Sequence, residues 1–237
     1  MPNKDHYIKL LKEDFPNISF SGLEELKERY CEELHDILIY EEIELKGKVF
    51  KGLEKIEVNY LEEARDDLAL YKPDERILEI NGQYYGEKAN KEKDLYKDNN
   101  LIIISKRFDI VINHELWHYY VREYNINNID NVEWNKMLEF YKDNDTYIRK
   151  FFTFLDAYLG KLVRYVTGPN EYGYYAQIKE EFIVETFAYL NARVLYDEIK
   201  LNDKDKLKKY IEKFKDIEEK IYTKCKETII RNLSGGI

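Results

Sequence analysis

The sequence predicts an α+β fold dominated by helices, in which a small mixed or antiparallel sheet packs on a helix carrying a His-Glu-x-x-His run, ahead of a helical C-terminal half. Three observations lead there. Period-two alternation marks short stretches between residues 53 and 86, apolar residues at helical spacing fill most of the remainder, and "FDIVINHELWHYYVRE" (108–123) sets His114 and His118 one turn apart in an otherwise apolar helix. With 237 residues, 44% of them apolar and 15% aromatic, the chain has material for one substantial core. It divides either into an N-terminal helical segment over 1–50 and a domain over 51–237, or forms one domain over 1–237.

Each element has its own signal. After a short lead-in, "FSGLEELKERYCEELHDILIYEEIEL" opens on Ser21 as N-cap and puts Leu23, Leu26, Tyr30, Leu34, Ile37 and Leu38 on one face, which predicts a single amphipathic helix. "LEKIEVNYL" alternates around Ile56, Val58 and Tyr60. "RILEINGQYYG" does so around Ile77, Leu78 and Ile80 before the turn dipeptide Asn81-Gly82. Both read as short strands. Residues 87–100 are polar throughout and read as a solvated loop, while the apolar run "LIIIS" (101–105) suits either a buried strand or the lead-in to the next helix. Downstream, 132–142, 147–166, 179–199 and 204–233 read as helices, with Thr167-Gly168-Pro169-Asn170 as the break between the second and third. In the last, Leu207, Ile211, Phe214, Ile217 and Ile221 have the spacing of a packed face.

Charge and cysteine content exclude several classes. Lys plus Arg number 38 against 47 Asp plus Glu, a net charge of -9, so neither nucleic acid nor an anionic membrane is an expected partner. Cys31 and Cys225 stand in no metal-type spacing and read as free structural thiols. The first twenty residues hold no apolar run of signal-peptide length, and no segment approaches the roughly 20 apolar residues of a membrane span. The default expectation is a cytoplasmic protein, and export by another route would leave the same sequence.

The chemistry concentrates in "HELWH". Histidines four apart on a helix share a face, and Glu115 lies about 100° around from His114, beside the point where the imidazoles converge. In this arrangement two neutral imidazoles hold Zn²⁺ and the glutamate takes a proton from water. Chance placement of four histidines yields such a pair on the order of one time in a hundred, so a further ligand is required to carry the reading. His6 and His35 lie far upstream, and the third ligand of a two-histidine catalytic site is then a carboxylate. "YYAQIKEEFIVETFAYL" (174–190) offers Glu181 and Glu185, four apart among Phe182, Ile183, Val184, Phe187 and Leu190, where a carboxylate is costly unless paired or metal-bound. Glu181 is the better ligand and Glu185 the better acceptor for a ligating histidine's ring N–H. Spacing leaves the choice between them, and Glu180, open. The C-terminal half thus carries the third ligand.

"HELWH", "EEFIVETFAYL" and the tyrosines before the latter resemble the anthrax lethal factor-like metallopeptidases, a gluzincin family that includes Pro-Pro endopeptidases and phage-associated members. "EEFIVETFAYL" is similar to that family's "EFFAEAFAYY" block, and "ERILEINGQYYG" to the strand before its active helix; the similarity spans roughly 70–195. The resemblance implies a zincin-like domain with one Zn²⁺ per chain held by His114, His118 and Glu181. It further implies Glu185 behind a ligand, Glu115 as general base and Tyr174 as the group that meets the oxyanion. Trp117 stands where the family usually has Gly, the His118-to-Glu181 gap of 181 − 118 = 63 residues implies an inserted helical segment, and Tyr172 and Tyr175 compete with Tyr174. The implied function is zinc-dependent hydrolysis of peptide bonds in a protein or peptide substrate. That substrate is expected to pair as an added strand on a sheet edge at 76–81 or 101–105. The alternatives are a catalytically silent zinc-binding or interaction module of the same fold, in a phage or effector setting, and a helical scaffold with no metal. Oligomeric state has no sequence signal here.

Overall fold

The computed structural model describes residues 3–60, 67–92, 107–126, 180, 184, 220 and 222–234. The chain divides into two compact units, Met1–Glu123 and Tyr124–Ile237. The first opens with helix α1 (Lys4–Asp14), strand β1 (Ser19–Ser21), a 3-10 turn at Leu23–Glu25 and helix α2 (Glu28–Glu44). Strands β2 (Lys55–Asn59), β3 (Ala69–Lys72) and β4 (Ile77–Asn81), the one-turn helix α3 (Gly82–Tyr85) and helix α4 (Phe108–Glu123) complete it. This is an α+β arrangement of helices and a small mixed sheet.

The N-terminal elements depart from the sequence reading. The lead-in holds α1, whose N-cap Asn3 accepts the His6 N–H at 3.1 Å. It buries Leu11 alone, too narrow an apolar stripe for periodicity to register. Ser21 is not an N-cap; it closes β1, and α2 begins seven residues later behind Lys27. Gly22 explains the break. Its φ of 71° is left-handed, and a Cβ there would run into the Val58 carbonyl, so the chain must turn out of the strand before helix can start. The expected apolar face is nonetheless buried in full, Leu23 and Leu26 from the 3-10 turn and its end, Tyr30, Leu34, Ile37 and Leu38 from α2.

The sheet order is β1-β2-β4-β3, with β1, β2 and β4 parallel and β3 antiparallel to β4. Ile56 is in register with Phe20 on one side and Leu78 on the other, and Leu78 with Tyr71. β4 therefore lies between two strands and has no edge to offer a substrate, which removes 76–81 as a docking edge; 101–105 lies outside the described residues. Asn81-Gly82 starts α3 rather than a hairpin, since the Asn81 side chain accepts the Gln83 N–H at 2.9 Å as an N-cap.

Helix α4 buries residues on every side, including Ile112, Leu116, Trp117, Tyr120 and Val121, as an apolar helix must. Tyr119 of α4 is fully buried, and its hydroxyl donates to Val49 O at 2.9 Å and accepts from Gly52 N at 3.1 Å. In the second unit, 222–233 is helical, in line with the sequence reading; Cys225 and Ile229 are buried one turn apart, and Asn232 Nδ2 donates to Tyr124 O at 3.0 Å. Both cysteines are buried thiols, and burial pushes the Cys31 thiol up to about 12. Among the described residues, no helix is long and apolar enough to cross a membrane.

Tyr119→Phe removes the hydroxyl and leaves a buried amide and carbonyl without their partner. The expected cost is about 1–3 kcal/mol of unfolding free energy, read as a lower denaturant midpoint. An unmoved midpoint would show that water replaces the hydroxyl at no cost.

Candidate metal centre

The histidines of α4 lie one turn apart and their rings converge. The Nε2 atoms of His114 and His118 are 3.2 Å apart, with ring centroids at 4.9 Å and planes at 72°. Both rings are half-buried. Two imidazole nitrogens bound at about 2.0–2.1 Å to a tetrahedral zinc stand about 3.3–3.4 Å apart, so the pair has the spacing of two ligands of one ion. Among the described residues no three His, Cys, Asp or Glu side chains converge. A donor set of two imidazoles and a carboxylate beside a buried glutamate fits zinc, and the pair on α4 supplies the first two members.

Glu115 completes the described part of the site. Its side chain is 11% exposed, with Oε1 at 3.9 Å from His114 Nε2. Its other oxygen, Oε2, accepts the backbone N–H of Tyr71 at 2.7 Å. Such a bond to an ionised acceptor is short and about twice as strong as a neutral one. The strand register explains why that N–H is available. In the β3–β4 pair, Asn81 N donates to Leu68 O at 3.0 Å, so the alternation of an antiparallel ladder turns Leu70 and Lys72 toward β4 and leaves Ala69 and Tyr71 facing outward. The Tyr71 ring also meets the Tyr119 ring edge-on at 5.7 Å.

At the N-terminal end of α4, Asp109 holds Arg107 through bonds of 3.0 and 2.7 Å, an acid suited to the first helical turn. Glu33 of α2 is pushed up to about 7, first by burial and then by the Asp109 carboxylate, against the pull of Arg29 and Arg107.

The remaining sequence-designated residues distribute as follows. Glu181, Glu185, Tyr174, Tyr172 and Tyr175 lie outside the described residues. Glu180 is described; it is helical and 7% exposed, with Val184 one turn on and fully buried. Of the other histidines, His6 is exposed, and His35 Nε2 lies 2.8 Å from Asp14 Oδ2, beside Phe15. His35 thus ties α2 to the end of α1. Comparison of the chain with protein-family models, with characterised proteins and with solved structures gives no match.

Tyr71 escaped the sequence reading because its contribution is a backbone N–H. A signal for its strand did exist: Leu68 and Leu70 alternate with Ala69 and Tyr71, and Pro73-Asp74 follows as a turn pair. Which of its amides faces outward depends on register alone.

Glu33 yields a pH test. Its folded-state pKa of about 7 exceeds the usual 4.5, so the folded chain retains a proton that the unfolded chain releases, and stability falls as pH rises from about 4.5 to about 7. Glu33→Gln should remove that slope and gain of order 1 kcal/mol above pH 7, an amount reduced by the group's partial solvation. Equal slopes in denaturation series on both proteins would contradict this.

Proposed function

We propose that the chain is a zinc-dependent endopeptidase of the lethal factor-like kind, with zinc held by His114, His118 and Glu181 and with Glu115 as general base. The observation that carries the reading is the 3.2 Å between the two Nε2 atoms. A hydrogen-bonded pair of histidines explains that distance alone; the adjoining Glu115, buried beside the pair, favours the metal. Further support for a sheet packed on the active-site helix comes from the Tyr71 contacts to Glu115 and Tyr119.

Zinc, when bound, supplies a Lewis acid that polarises a carbonyl and brings water toward ionisation near neutrality. In this reading Glu115 takes the proton from the attacking water and returns it to the leaving nitrogen. Oε1 is the oxygen nearer His114, and Oε2 accepts the Tyr71 N–H. Glu185 accepts a ring N–H from a ligating histidine and fixes its tautomer. The Tyr174 phenol donates to the developing oxyanion, a contribution worth about 3–4 kcal/mol at comparable sites. Trp117 is fully buried in α4.

Native mass spectrometry should find one zinc per chain. His114→Ala, His118→Ala and Glu181→Ala should lose it, and Glu185→Ala should largely keep it. Glu115→Gln should retain zinc while hydrolysis of a peptide library falls by about two to four orders of magnitude. Zinc-loaded chain that cleaves nothing would leave the silent zinc-binding module; chain that never takes up zinc would end the metal reading.

A further inference from the structure

We propose that the backbone amide of Tyr71, on strand β3, is the positioning group of Glu115. This rests on the reading of Glu115 as the general base, and it adds that a strand 44 residues away in sequence, rather than α4 itself, sets which carboxylate oxygen works.

Four observations meet at this point. The Tyr71 N–H faces away from the β4 ladder, so it needs a partner other than the sheet. Glu115 Oε2 supplies that partner at 2.7 Å, in a buried bond. The carboxylate is thereby held with Oε1 on the side of His114. Finally, β3 is fixed relative to α4 by the contact of Tyr71 with Tyr119, and Tyr119 is held in turn by its two bonds to Val49 and Gly52.

A glutamate side chain has three rotatable torsions, and an unanchored one would spread over several staggered states. One charge-assisted bond from a rigid strand selects a single state before substrate arrives, which is the preorganisation that efficient proton transfer requires. The amide donates a bond only; it touches neither substrate nor zinc, so its role is positional.

The test has two arms on the full-length zinc-loaded chain. In the first, hydrogen exchange of the Tyr71 amide is followed by NMR, with the outward-facing Ala69 amide as reference. The Tyr71 amide should exchange about tenfold or more slowly in the wild type than in Glu115→Ala, with protection largely restored in Glu115→Gln, which keeps an acceptor oxygen. In the second, Tyr71→Pro is compared with Tyr71→Ala. Both lose the ring, but only proline loses the N–H, at an outward edge position where the ladder bonds to β4 survive. The proline variant should show kcat about tenfold or more below the alanine variant, with KM and zinc content matched. A Tyr71 amide that exchanges equally fast in wild type and Glu115→Ala overturns the proposal, as do equal kcat values for the two variants. If the wild type holds zinc but cleaves no peptide while the exchange pattern holds, the hydrogen bond to Glu115 is supported and the peptidase reading alone is overturned.

Discussion

Tyr119 is a fully buried phenol that both donates to Val49 O and accepts from Gly52 N, and this pair of bonds ties α4 to the turn that precedes β2. Burying a hydroxyl without partners costs on the order of a few kcal/mol, so this pair of bonds constrains how α4 is seated against that turn. Residues 115 and 119 are one turn apart and share a face. Once Tyr119 is seated beside the turn that precedes β2, Glu115 points toward β3, with His114 about 100° and His118 about 60° around the helix from it. The close approach at Gly52 belongs to the same arrangement, since a Cβ there would meet the Glu123 carboxylate at 2.5 Å.

Among the buried acidic groups of the first unit, Glu79 and Glu115 each have a specific compensation. Glu79 on the central strand is 3% exposed, with Asn59 Nδ2 at 2.8 Å and Lys72 Nζ at 3.1 Å. Glu115 has an amide. Glu33 has less, with two arginines acting against burial and a neighbouring carboxylate, and its raised pKa is the result. Glu79 is thus met by a lysine and a side-chain amide, and Glu115 by a backbone amide.

Legibility differed from element to element for physical reasons. The helix over 108–123 and the strands around 56 and 78 were readable because their periodicity is strong and local. Helix α1 was missed because one buried leucine makes no stripe, and β1 because three residues give no alternation to count. Ser21 has the right chemistry for an N-cap, yet Gly22 in a left-handed conformation beside the Val58 carbonyl prevents a helix there, a contact between segments 36 residues apart. The docking edge at 76–81 failed for a related reason: whether a strand is central or peripheral depends on strand order, and β4 inserts between β2 and β3 although it follows both in sequence.

What the sequence by itself determined is that His114 and His118 share one face of α4, because residues four apart on a helix lie one turn above each other. It also marked Tyr30, Leu34, Ile37 and Leu38 as the buried face of α2. Only the tertiary structure decided that Oε2 of Glu115 is engaged and Oε1 turned toward His114. That outcome depends on the register of β3 on β4 and on the seating of Tyr119, and both are contacts between distant segments that no local spacing encodes.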